Sequence, residues 1–152
     1  VAKDLQNKKD TLIEYIEDDG VVVAICGGFQ LLGRYYVNAS GERLNGISAI
    51  DVCTNGQFPN RLIGDVEIFN EEFGETYLGY ENHIGRTYLG KNMKPLGKVV
   101  KGYGNNEEDH AEGCHYKNVF CSYFHGPILV RNQHLADRII QTAAQRRIEK
   151  NA

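Results

Sequence analysis

The chain alternates between helical and strand-like hydrophobic patterns. Val1, Leu5, Leu12 and Ile16 recur at helical spacing among Lys, Asp, Glu, Asn and Gln, which predicts an amphipathic helix over about 2–18. Asp18-Asp19-Gly20 ends it. Val21-Val22-Val23-Ala24-Ile25 is wholly apolar and β-branched, the pattern of a short strand covered on both faces as in a parallel sheet. Gly27-Gly28 breaks that strand, and Phe29-Gln30-Leu31-Leu32 begins another helix that stops near Gly33. Helix, buried strand, sharp turn and helix is an α/β signature.

The middle of the chain reads differently. Ile47–Val52, Leu62–Phe69, Tyr77–Asn82 and Leu96–Lys101 are expected to be short strands punctuated by Gly, Asn and Pro. Asp65 to Glu81 carries Asp65, Glu67, Glu71, Glu72, Glu75 and Glu81 with no Lys or Arg. A solvated hairpin face accounts for this run, and a partner-facing patch is the alternative. Lys101–Gly113 is a polar loop, and Tyr116–Phe124 is one more strand ending at His125-Gly126-Pro127. A final helix starts near Asn132 as N-cap, with Leu135, Ile139, Ala143 and Ile148 as its buried stripe. No repeat or low-complexity linker divides the chain, so residues 1–152 are expected to form one domain.

Composition narrows the function. The chain is 41% hydrophobic and 24% charged with a net charge of −3, which excludes a disordered, fibrous or coiled-coil protein. No basic excess or clustered stripe argues for nucleic acid. Four cysteines without a C-x-x-C pair read as reduced thiols, hence a cytoplasmic protein. No apolar run approaches the roughly 20 residues of a membrane span, and no basic n-region precedes an apolar one as in a signal peptide. The sole methionine is Met93 and the chain opens inside the first helix, as a fragment or processed chain would.

Ala24-Ile25-Cys26-Gly27-Gly28 carries the chemistry. A nucleophile on a strand-to-helix elbow needs small residues two positions away on each side, and Ala24 and Gly28 occupy them. The turn aims the thiol at a helix N-terminus, where dipole and free N–H groups are expected to lower its pKa. The N–H of Gly27 is placed to serve as an oxyanion-hole donor. The alternative for Cys26 is a buried structural thiol. Among five histidines, His125 follows a strand as Cys26 does, and sites form at the carboxyl ends of strands in open α/β sheets. The two make a natural Cys–His pair, although His125 alone could be a turn residue. His134 reads as a surface residue. The spacing of Asp109, His110, Glu112, Cys114 and His115 matches no zinc pattern. No G-x-x-x-x-G-K-[ST] phosphate loop occurs. No metal and no cofactor are therefore expected in this chain.

Cys26-Gly27-Gly28-Phe29-Gln30-Leu31-Leu32-Gly33 resembles the nucleophile elbow of class I, triad-type glutamine amidotransferases of the cobyric acid synthase-like branch. Gly79-Tyr80-Glu81-Asn82-His83-Ile84-Gly85-Arg86-Thr87, Gly102-Tyr103-Gly104-Asn105-Asn106 with Asp109 and Glu112-Gly113, and Tyr123-Phe124-His125-Gly126-Pro127-Ile128-Leu129 extend the resemblance from about residue 3 to residue 145. Within the branch the chain is most similar to the small glutaminase subunits of lipid II-amidating synthases. The resemblance implies a flavodoxin-like sheet flanked by helices and a Cys26–His125 pair that hydrolyses L-glutamine. Gly27 and Gln30 would lie beside the oxyanion, Arg61 would hold the substrate carboxylate, and Tyr80, Asn82 and His83 would line the pocket.

It also implies a MurT-like Mur-ligase partner, which uses ATP and Mg²⁺ to amidate the D-glutamate of lipid II with the released ammonia. A corrinoid-synthase amidotransferase domain and a non-catalytic scaffold of the same fold are the alternatives. Two departures from the wider class stand out. Pro127 occupies the position where most class I members carry a glutamate, so the acid orienting His125 is expected from the partner. The several dozen residues that normally precede the first helix, with their strands and second oxyanion donor, are not in this sequence, so the sheet is expected to lack its N-terminal strands.

Overall fold

The computed structural model describes residues 1–152 as a mixed α/β protein with three small sheets. Helices α1 (Ala2–Asn7) and α2 (Lys9–Glu17) replace the single helix expected. The break at Lys8 accompanies the docking of Gln6, whose side-chain amide donates to the carbonyls of Asn45 and Gly46. Strand β1 (Val22–Ile25) leads into α3 (Gly27–Leu32). Strands β2 (Tyr35–Val37), β3 (Arg43–Asn45), β4 (Val52–Asn55) and β7 (Arg86–Leu89) form one sheet in the order β3-β2-β4-β7.

Residues 47–51 are irregular rather than the strand expected there. Ile47, Ile50 and Val52 are buried as the pattern requires. However, the amides of Ile47, Ser48, Ala49 and Ile50 donate to carbonyls of Leu31, Gly33, Leu32 and Leu32 at the end of α3. Those carbonyls have no partner within the helix, so the segment serves as its C-terminal cap and is lost to a ladder.

The second sheet has the order β6-β5-β8-β9, built from β5 (Leu62–Asn70), β6 (Glu75–His83), β8 (Gly97–Lys101) and β9 (Ala111–Glu112). The hairpin β5–β6 pairs from Leu62 opposite His83 to Asn70 opposite Glu75. The acidic run is not uniformly solvated: Glu81 is completely buried, and Glu75 is held by Tyr77 and Arg138.

The third sheet, β1-β11-β10, carries the site. The strand expected over 116–124 is instead β10 (Cys114–Tyr116) and β11 (Val119–Ser122), separated by a turn in which Lys117 has φ +50°. β1 and β11 run parallel, with Ile25 opposite Ser122. β11 divides the interior by its period-two alternation. Val119, Cys121 and the following Tyr123 face a core with Ile16, Ala24, Phe29 and Val52, while Phe120 and Phe124 face a second core with Val66, Ile68, Leu135 and Ile139.

The chain ends in α4 (Ile128–Arg131) and α5 (Gln133–Asn151). Asn132 joins them but does not cap α5 with its side chain. Its amide instead donates to the carbonyls of Leu78 and Ile128 and accepts the Leu78 N–H, tying the helix entry to β6. Leu135 and Ile139 are buried as expected, but Ala143 and Ile148 are exposed, and this half of α5 is tied instead by Arg146 to the carbonyl and carboxylate of Asp18. No helix is long and apolar enough to cross a membrane.

Candidate active site

Cys26 lies one residue beyond β1, with φ 53° and ψ −109°. Side chains other than glycine's are strained in such a conformation, by about 1–3 kcal/mol. Several bonds hold it there. The Cys26 N–H donates to the Ser122 carbonyl at 2.9 Å, and the Cys26 carbonyl accepts the Gln30 N–H at 3.1 Å as the first turn of α3. Gly28 and Ala24 face each other across the elbow, and a Cβ added at Gly28 would meet that of Ala24 at 3.8 Å, an ordinary contact.

The thiol is half-buried, and burial pushes its pKa up. A bond from the Gly27 N–H and the charge of Arg61 pull it back only in part. The net direction is opposite to that expected from a helix N-terminus. α3 has only six residues, and loss of hydration outweighs its dipole. A resting thiol of this kind needs a base to become a nucleophile.

His125 lies three residues past β11 on the same carboxyl edge of the sheet. Its N–H donates to the Tyr80 carbonyl at 2.8 Å, an isolated antiparallel bridge that ties the histidine turn to β6. Gly126 follows with φ +81°, a conformation that glycine adopts without strain, and Pro127 then opens α4. The His125 imidazole makes no hydrogen bond within the chain.

The other residues singled out by sequence separate into a rim and a buried wall. β6 alternates, so Tyr80 and Asn82 face outward while Glu81 and His83 point inward. Arg61 joins the rim: its Nε–H donates to Asn82 Oδ1 at 2.8 Å and its Nη2–H to the Asn82 carbonyl at 3.2 Å. His83 is only 2% exposed. Its Nδ1 lies 2.8 Å from the Gly85 carbonyl, its Nε2 3.4 Å from Glu81, and its ring stacks on Tyr123 with centroids 3.7 Å apart. It supports the site from behind and presents no ring to solvent. Gln30 is likewise turned inward, its amide donating to the Tyr123 hydroxyl at 3.0 Å. Gly27, by contrast, offers its N–H on the thiol side.

The sequence motifs contain Glu81, Thr87, Glu112 and Tyr123 but gave no role to any of them. Tyr123 is fully buried, and its hydroxyl lies 2.6 Å from Thr87 Oγ1, which in turn lies 2.7 Å from Thr54 Oγ1. Burial pushes its phenol up to about 12. Glu81 accepts the N–H groups of Tyr103 and Gly104 at 2.7 and 3.0 Å. Glu112 accepts the Tyr123 N–H at 2.7 Å. The signal available was adjacency, because Ser122, Tyr123 and Phe124 immediately precede His125.

The groups that suggested a metal part company. His110 is exposed, and His115 stacks on Phe120 with Glu72 3.7 Å away. A surface cavity of about 590 Å³ lies at the tip of the β5–β6 hairpin, lined by Phe69, Glu71, Lys94 and His110 among others, and includes neither Cys26 nor His125.

Cys26 on a strand-to-helix elbow and His125 just past the neighbouring parallel strand stand at one sheet edge, an arrangement in which a thiol and a base can pair. The chain belongs to the CobB/CobQ-like glutamine amidotransferase domain family, whose profile matches residues 1–133. Over 147 residues it is 58% identical to the lipid II isoglutaminyl synthase (glutamine-hydrolyzing) subunit GatD of Streptococcus pneumoniae, covering 97% of this chain and 56% of that protein. Over 146 residues it is 44% identical to the GatD subunit of Staphylococcus aureus, covering 96% of this chain and 58% of that protein. The chain thus spans little more than half the length of these relatives. A probable cobyric acid synthase of Methanothermobacter thermautotrophicus is 36% identical over 118 residues, covering 69% of this chain and 23% of that protein. A solved glutamine amidotransferase superposes with a TM-score of 0.61 at 18% identity, covering 90% of this chain and 68% of that one, which shows the shared fold.

Proposed function

We propose that this chain is the glutamine-hydrolysing part of a lipid II-amidating synthase. The observation that carries the reading is the strained Cys26 beside the His125 turn at one sheet edge, in a sequence 58% identical to a GatD subunit. In this reading L-glutamine binds with its α-carboxylate toward Arg61, whose planar fork suits bidentate recognition. His125 takes the thiol proton as Cys26 attacks the carboxamide carbon. The Gly27 N–H faces the developing oxyanion. Collapse of the tetrahedral intermediate breaks the C–N bond, His125 returns the proton to the departing nitrogen, and ammonia leaves. Water, deprotonated by His125, then attacks the thioester and frees glutamate and the thiol.

The ammonia would pass to a MurT-like ligase subunit that activates the D-glutamate carboxylate of lipid II with ATP and Mg²⁺, giving D-isoglutamine. An acid from that partner would orient the His125 imidazole, which has no hydrogen bond in this chain and Pro127 two residues beyond it. The reaction belongs to the cytoplasm, where four unpaired thiols persist.

Glutamate release from L-glutamine, measured on the complete protein with and without the ligase subunit, tests this. Release is expected to rise with partner and to fall by roughly three orders of magnitude or more in Cys26→Ala. Release that is unaffected by Cys26→Ala would overturn the reading.

A further inference from the structure

β11 ends at Ser122, where its pairing with β1 stops, and its pairing with β10 stops one residue earlier at Cys121. Tyr123 and Phe124 therefore lie beyond both ladders, before the His125 N–H reaches the Tyr80 carbonyl of β6. One buried carboxyl takes the place of that missing ladder. Glu112 is 0% exposed and accepts the Tyr123 N–H at 2.7 Å. The hydroxyl of Ser122 lies 3.0 and 3.2 Å from its two oxygens. That same hydroxyl accepts the Phe124 N–H at 2.9 Å. All three residues leading to the histidine are thus bonded to Glu112 directly or through Ser122.

Ser122 also reaches the nucleophile. Its carbonyl accepts the Cys26 N–H at 2.9 Å. The elbow and the histidine turn meet at one residue, and the side chain of that residue is fixed by Glu112. We propose that Glu112 is a positioning residue of the glutaminase site: through Ser122 and Tyr123 it sets the placement of His125 relative to Cys26, without touching substrate. The proposal rests on the glutaminase reading above.

Burial raises the Glu112 carboxyl to about 8, against the bonds from Tyr123 and Ser122, and the nearby Glu81 raises it further. Near neutral pH the carboxyl keeps its proton. The bonds from Tyr123 and Ser122 favour the charged form, so the carboxyl serves as their acceptor in either protonation state.

The test compares wild type, Glu112→Gln and Glu112→Leu in the complete protein with its ligase subunit, each normalised to the fraction of folded chain by circular dichroism. Gln keeps an acceptor for the Tyr123 N–H and the Ser122 hydroxyl but cannot ionise. Glu112→Leu is expected to lower kcat by roughly 30-fold or more while KM changes less than about threefold, as misplacement of catalytic groups does. Glu112→Gln is expected to stay within about threefold of wild type at pH 7, because it keeps the acceptor that holds Tyr123 and Ser122. Wild-type kcat in Glu112→Leu, or a loss in Glu112→Gln as large as that in Glu112→Leu, would overturn the proposal.

If wild type releases no glutamate, the glutaminase reading fails, and Cys26 alkylation against pH then decides the role of Glu112. A Cys26 profile altered in Glu112→Leu and restored in Glu112→Gln at pH 7 supports the clamp. Identical profiles in all three overturn it.

Discussion

The two sides of the active-site edge are held by opposite means. On the elbow side, an apolar strand runs straight into a strained cysteine, and most restraints come from close by: Ala24, Gly28 and the first turn of α3 all lie within four residues of Cys26, with the Cys26 N–H bond to the Ser122 carbonyl as the remote tie. On the histidine side the restraints are polar, buried and remote. Glu81 reaches Tyr103 across 22 residues, Glu112 reaches Ser122 across 10, and Gln30 reaches Tyr123 across 93. Cys26 is forced into position mainly by its neighbours, whereas the His125 turn is tied to buried carboxyls bonded to groups distant in the chain. Buried carboxyls of this kind are costly unless fully bonded, so the histidine side should be the more sensitive to pH and the elbow side the more sensitive to backbone strain.

The largest effect that would break this contrast concerns the buried acid. The Glu112 carboxyl is raised from 4.5 to about 8, so the folded state holds a proton that the unfolded chain releases. Stability relative to Glu112→Gln is therefore complete below about pH 4.5 and is lost as pH rises toward 8. The full difference is on the order of 3–5 kcal/mol. Urea denaturation of both proteins from pH 4.5 to 8.5 measures it, and parallel curves would mean that the acid is not a buried proton-holder.

The second effect sharpens the elbow side. Cys26→Gly removes the thiol and also relieves the φ of 53°, so the variant should be inactive yet more stable by roughly 1–2 kcal/mol. Thermal denaturation checks this, and a less stable variant would show that side-chain packing, rather than backbone strain, dominates at Cys26.

The smallest effect tests the periphery shared by neither side. Ile148, 64% exposed near the end of α5, should change to Gln within about 0.5 kcal/mol, whereas Ile139→Ala at the buried end should cost about 2–4 kcal/mol. Equal costs would show that the far end of α5 is covered in solution.

Much of the elbow side was legible in the sequence. The glycine break and the small residues flanking Cys26 are local signals, and they placed the elbow and the start of α3, whereas β1, expected to be covered on both faces, leaves Val23 38% exposed. His125 was legible because it too follows a strand. The direction of the Cys26 pKa was not, because burial is a property of the assembled chain and here exceeds the pull of a short helix. Ile47 to Val52 looked like a strand since apolar residues alone do not reveal where amides go, and theirs cap α3. Asn132 looked like a helix cap because local sequence could not show Leu78 beside it.

The sequence by itself determined which residue types stand where chemistry can occur: a thiol at a forced turn, a histidine after a strand, and an α/β order of elements. Those follow from steric rules and hydrophobic periodicity that act within a few residues. Only the tertiary structure decided which polar groups are buried and who satisfies them. It turned Gln30 and His83 inward onto Tyr123, left Arg61 and Asn82 on the rim, and gave Glu112 the three residues that lead to His125. The physical reason is that a buried polar group is stable only beside its partner, and partners 10 to 93 residues apart are brought together by the fold alone.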